Sequence, residues 1–154
     1  MENKILIKTV EEYFANIQGK YANFDYGEHI PTNKLNVIRK LYAPYNGEIE
    51  KPLLLIDDTV FRSAKKGILL TNMNLYYRLY AGRKIKGIHV GRVALNFNTS
   101  IEIKLGHKGS DLVINGDIVA FTTAFGLGGI NEKEGKIINR LFELLAQVLA
   151  MTQG

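Results

Sequence analysis

Three groups of residues in this chain carry side chains able to do chemistry. Asp57-Asp58-Thr59 sets two carboxylates and a hydroxyl side by side, the raw material of general acid–base work. They follow an apolar run and precede a bend, however, where aspartates accept hydrogen bonds from nearby amides and begin the turn. Ser63 would need a histidine base and a third, orienting residue, and no nucleophile elbow surrounds it. His29, His89 and His107 are too widely spaced to form a local metal motif, and folding would have to bring Asp57, Asp58 or Glu28 to them. Gly126-Leu127-Gly128-Gly129 precedes a helical pattern and could cradle a phosphate. Yet the third glycine of a dinucleotide fingerprint is missing, no strand follows, and there is no Gly-Lys-Ser/Thr, so a flexible strand-to-helix link is the plainer reading. No catalytic residue, metal ligand or cofactor is assigned. The chain is expected not to be an enzyme, and a dispersed site drawn from Asp58, His89 and His107 ranks last among its readings.

The basic residues offer more. Arg62, Lys65 and Lys66 form one group; Arg83, Lys84 and Lys86 form another, and these six are the candidate binding residues. Tyr76, Tyr77 and Tyr80 lie between them, and aromatics beside cations can stack on single-stranded nucleic acid. Strand alternation puts Tyr76 and Tyr80 on one face and Tyr77 on the other, so part of the set is core packing. The net charge of +5 favours acidic partners: phosphate, nucleic acid, anionic lipid or an acidic protein face. The lysines and arginines are spread along the chain and form no tail or block.

The elements that must position these groups fall into three zones. Residues 1–46 read as an N-terminal helical extension. Ile7, Val10, Phe14 and Ile17 recur at helical spacing, and a second helix opens at Pro31-Thr32 with Leu35, Ile38, Leu41 and Tyr42 on one side. Between them runs an aromatic connector from Tyr21 to His29. Ala43-Pro44-Tyr45-Asn46-Gly47 closes the second helix.

Residues 47–154 read as one domain. Apolar or alternating runs at 53–56, 67–71, 75–80, 85–90, 93–97, 100–105, 112–114 and 118–121 are strand candidates, separated by short turns. Asn72-Met73-Asn74 and Asn115-Gly116 mark hairpins, the second being the stronger signal. About seven strands with no helix between them imply an antiparallel sandwich or open barrel. A long amphipathic helix follows the glycine joint, with Asn131 and Glu134 spaced as a capping box. Its stripe of Ile138, Leu141, Leu145, Val148 and Leu149 should plug the open end of the sheet.

At 154 residues, 46% of them hydrophobic, the chain is long enough to bury a sizeable core without staples. It contains no cysteine, which excludes disulfides and fits a reducing compartment. The apolar run Ile5-Leu6-Ile7 is too short for a secretion signal, and no stretch approaches the ~20 apolar residues of a membrane span. A cytoplasmic protein is expected.

The strand-then-helix order is similar to that of pleckstrin-homology-like domains. Residues 55–71, running from Leu55-Ile56-Asp57-Asp58-Thr59 through Ser63-Ala64-Lys65-Lys66-Gly67 to Thr71, resemble a pattern of small bacterial members of that class. The tyrosine-rich third strand and the stretch from Ile30-Pro31 to Tyr42-Ala43-Pro44 fit it as well. The resemblance covers about residues 30–150. It implies a mainly β fold, a seven-stranded sandwich or open barrel closed by a C-terminal amphipathic helix. It is nearly silent on activity, because that fold hosts lipid, peptide and protein binding alike. The first strand, Leu53–Ile56, is wholly apolar where phosphoinositide-binding members carry basic residues, which argues against inositol phosphates. The expected function is therefore a non-enzymatic binding or adaptor module for a protein partner. The alternative is peripheral binding to anionic lipid or nucleic acid through the basic hairpin tips.

Overall fold

The computed structural model describes residues 4–17, 19–59, 63–127 and 130–151. Among these, the order of elements is α1 (Lys4–Ala15), β1 (Phe24–Tyr26), α2 (Thr32–Leu41), β2 (Pro52–Asp57), β3 (Gly67–Thr71), β4 (Asn74–Gly82), β5 (Ile85–Ala94), β6 (Ile101–Leu105), β7 (Ser110–Ile114), β8 (Asp117–Thr122) and α3 (Ile130–Ala150). Every strand pairing is antiparallel, and the sheet curls into a half-barrel. The mainly β fold with a C-terminal helix stands. The runs at 85–90 and 93–97 are one strand, β5, because Gly91 and Arg92 continue the extended backbone instead of turning. The short β1 adds an eighth strand inside the aromatic connector.

The order across the sheet is β1-β2-β3-β4-β8-β7-β6, with β5 paired to β4 off that path. Tyr80 of β4 explains the branch. It pairs with Ile88 of β5 on one side and Phe121 of β8 on the other, beyond the point where β3 ends opposite Arg78. Strand β4 thus joins two halves of the sheet.

Strand β2 is apolar from Leu53 to Ile56 because both of its faces are covered. Leu54 and Ile56 belong to the main core with Ile68, Leu70, Leu75, Tyr77 and Leu79. Leu55 faces the other way, into a second core formed with Leu69, Tyr76 and the Ile38 and Tyr42 side chains of and beside α2. Helix α2 follows its expected pattern except at Leu41, which is exposed. Helix α1 sends Leu6, Val10 and Phe14 into the main core, where it meets α3.

Helix α3 buries Ile138, Leu141, Phe142, Leu145 and Leu149 in the same core. Its start departs from the capping-box expectation. The helix begins at Ile130, so Asn131 already lies inside it, and Glu134 turns away from its own helix. The Glu134 carboxylate is buried and accepts the backbone N–H groups of Ala22, at 2.7 Å, and Asn23, at 3.2 Å. Asn131 Oδ1 accepts the Asn23 side-chain amide at 2.7 Å. The residue types suited to a cap satisfy instead a loop more than a hundred positions upstream.

One further contact of α3 ends the sheet. Asn139 Oδ1 accepts the Ile103 N–H at 2.7 Å, and Asn139 Nδ2 donates to the Ile103 carbonyl at 2.7 Å. Its amide thereby occupies the outer edge of β6 as a neighbouring strand would. Truncation at this point, Asn139→Ala, should lower stability by about 1–3 kcal/mol, since it strands a backbone donor and acceptor. It should also accelerate hydrogen exchange at the Ile103 amide. Leu141→Ala and Leu145→Ala, deep in the core, should each cost about 2–5 kcal/mol. Denaturant unfolding of the three variants beside the parent checks both magnitudes.

Candidate functional site

Five of the six basic residues singled out from the sequence gather at one end of the sheet. Lys65 and Lys66 lead into β3, which runs beside β4, and Arg83 and Lys84 form the turn after β4, with Lys86 just beyond in β5. Arg62 lies outside the described residues. Lys65, Lys84 and Lys86 are exposed. Lys66 holds its ammonium 3.8 Å above the Tyr80 ring. Arg83, though exposed, is engaged: its guanidinium reaches Asp111 at 3.4 Å and lies 4.9 Å from the Phe121 ring centroid. It joins β8 and β7 to the hairpin turn and is the structural member of the set.

The tyrosines divide as strand alternation requires. Tyr77 is in the main core, with its ring crossing Gly91 of β5, where an added Cβ would fall 2.3 Å from ring atoms. His89 stands edge-on to Tyr77 at 5.2 Å, and a ring nitrogen lies 2.8 Å from the Val119 carbonyl. On that side of β5, His89 itself stays exposed. Tyr76 and Tyr80 point to the opposite face. Tyr76 sits beneath α2 and bonds to Glu50 at 2.9 Å, and burial together with that carboxylate pushes its hydroxyl up to about 12.

Past the cover of α2 this outer face is open. Register places Arg92, Val90 and Ile88 of β5 beside Tyr76, Arg78 and Tyr80 of β4, and the exposed Lys86 follows beyond a register shift. The result is an exposed strip carrying aliphatic side chains between cations. Ile88 is 42% exposed and Val90 49%, and Ile85 at the tip is 59% exposed. Such a contiguous apolar row on an otherwise polar surface is a feature of interaction sites. Beyond it lies the free side of β5, ten residues long, with no ladder partner among the described residues.

Sequence reasoning missed Arg78, Ile88, Val90 and Arg92, because alternation alone does not reveal which strand lies at an edge. It also took the positive charge to be evenly spread. The acids tell otherwise: residues 59–101 hold eight Lys and Arg and not one Asp or Glu. The β3–β4–β5 segment is therefore purely basic, whereas the remainder carries twelve basic and fifteen acidic residues. Counting where carboxylates are absent would have located the surface.

The buried carboxylates Glu50, Asp57 and Asp58, in contrast, each have structural partners. Glu50 is bonded by Thr71, Asn74 and Tyr76. Asp57 accepts the Thr59 N–H at 3.1 Å and its hydroxyl at 2.6 Å, as the turn reading expects, and pairs with Lys34 Nζ at 3.1 Å. Asp58 reaches across the molecule to Thr123, accepting its N–H at 2.8 Å and its hydroxyl at 2.6 Å. Of the dispersed trio, Asp58 is thus engaged with Thr123 and His89 with Val119, while His107 is exposed. Among the described residues no group of three or more His, Asp or Glu is placed to hold a metal ion, and no helix is long and apolar enough to cross a membrane.

Burial pushes the Asp58 carboxyl up, while the Thr123 hydroxyl and the Lys66 ammonium pull it down, and burial prevails. A raised folded-state value means that the folded chain holds this proton more tightly than the unfolded one. The Asp58 contribution is therefore fully present in acid and is lost as pH rises through the folded-state value. Asp58→Asn keeps the acceptor for Thr123 and removes the buried charge. It should be at least as stable as the parent at neutral pH, with the difference vanishing below about pH 4. Chemical unfolding of both proteins across that range checks it; a variant less stable at neutral pH would contradict it.

No family model matches this chain, and neither does any curated protein or solved structure.

Proposed function

We propose that this chain is a non-enzymatic binding module whose docking surface is the β5 side of the sheet. The observation that carries the reading is the asymmetry of the sheet edges. Strand β1 is three residues long, and β6 is closed by Asn139, both of which discourage further pairing. Strand β5 has ten residues and an open side. A long edge strand flanked by exposed Ile88 and Val90 invites an added strand, a recurrent mode of peptide recognition. The buried acids support a non-catalytic reading, because their bonds join distant segments of the fold. A pleckstrin-homology-like ancestry and a cytoplasmic setting belong to the same proposal, supported by the strand-then-helix order and the absence of cysteine.

A second reading has one observation in its favour. Ile85 protrudes at the hairpin tip between Lys84 and Lys86, as an aliphatic anchor flanked by cations would in contact with an anionic bilayer.

Affinity capture from host extract, run in parallel with the parent and an Ile88→Asp/Val90→Asp variant, separates these readings. Both positions are exposed, so the variant should keep its unfolding midpoint to within about 0.5 kcal/mol. A protein retained by the parent and lost by the variant is the expected result. Equal retention by both would remove β5 from the proposal. Binding to vesicles of anionic phospholipid, abolished by Ile85→Asp, would favour the bilayer.

A further inference from the structure

Resting on that reading, we infer that the occupant of the β5 edge is an extended acidic segment of another protein, with carboxylates set to meet Lys86 and Arg92 and aliphatic residues set to meet Ile88 and Val90. The backbone of β5 points first to a polypeptide. Its open side presents N–H and C=O groups at strand spacing, and an added strand satisfies them in register, which neither a bilayer nor a nucleic acid does.

Charge then selects among polypeptides. Ile88, Val90 and Arg92 share the outer face of β5, and the exposed Lys86 precedes them across a register shift, so a cation stands at each end with aliphatics in the middle. Arg78 lies on the neighbouring strand β4 and Lys66 just before β3, and the stretch from 59 to 101 itself contributes no carboxylate to this face. A partner strand with acids six positions apart and two aliphatics at alternate positions between them complements this row. On the inner face Gly91 lies beneath the Tyr77 ring and His89 stands exposed edge-on to it.

The same row disfavours a second copy of the chain. Antiparallel pairing of β5 with itself brings Lys86 opposite, or diagonal to, Arg92, and like charges facing each other across strands are destabilising. The surplus of acids elsewhere in the chain is not on this edge.

The test uses two synthetic nine-residue peptides. One alternates Thr with a face reading Glu, Val, Val, Glu; the other replaces both Glu by Lys and is otherwise identical. Calorimetric titration and amide hydrogen exchange are followed for the parent and for Lys86→Glu/Arg92→Glu, both exposed positions. The acidic peptide should bind the parent, weaken with added salt, and slow exchange along β5. The double reversal should weaken it by about tenfold or more and transfer preference to the basic peptide. Equal binding of both peptides to the parent would overturn the acidic assignment while leaving the edge reading intact. No β5 protection by either peptide would overturn the edge reading itself. Concentration-dependent dimers with a protected β5 would make a second copy the occupant, and tight binding of an oligonucleotide or anionic vesicle in place of the peptides would transfer the surface to those ligands.

Discussion

Two consecutive carboxylates at the end of a buried strand constrain much of this molecule. Asp57 and Asp58 are 2% and 4% exposed, and charges removed from water to that degree need close partners. The chain supplies them from separate regions. Thr59 and Lys34 serve Asp57, and Thr123 serves Asp58. Lys34 comes from α2 and also reaches Asp25 of β1 at 3.5 Å. The end of β2 is thus where the N-terminal elements, the first hairpin and the segment leading to α3 are fastened together. Tyr42 adds to this, its hydroxyl donating to the carbonyl of Ala64, a residue held at a φ of +62° that side chains other than glycine's rarely adopt.

The fastening explains why the outer face is only half covered. Helix α2 is drawn over Leu55, Leu69 and Tyr76 by its own Ile38 and Tyr42 and by the Lys34–Asp57 pair. At ten residues it spans about 15 Å, too short to shelter β5 as well. The distal part of that face is consequently left to Arg78, Tyr80 and the side chains of β5. The inward face, in contrast, is closed by two helices meeting over one core.

Most of the elements were legible in the sequence because burial imposes periodicity. The apolar runs at β2 and β3, the alternation in β6 and the stripe of α3 each follow from covering one or two faces. Asn115-Gly116 makes the hairpin it signals, with both residues at positive φ, 52° and 86°. Strand β1 was illegible because three residues cannot display a period, and its partner lies thirty positions away. The Asn131–Glu134 pattern misled because a carboxylate satisfies any nearby N–H, and the sequence does not say whose. Of the candidate site, Lys65, Lys66, Lys84 and Lys86 were visible as charge. The aliphatic row between them needed the register, and Arg83 needed Asp111 to show its structural role.

The bonds between the first and last helices also bear on how the chain reaches this state. Tyr13 donates to the Ile137 carbonyl at 2.7 Å, 124 positions away, and the Glu134 bonds to Ala22 and Asn23 close a loop of similar length. Contacts this distant in sequence form late and slow the overall reaction, because a long loop must close before they can stabilise anything. During synthesis α1 emerges with Leu6, Val10 and Phe14 unburied, and the helix it packs against does not exist until the sheet has already been made. Helix α1, made well before α3, is thus among the last elements to find its place. Throughout that interval its apolar stripe is available to chaperones or to aggregation.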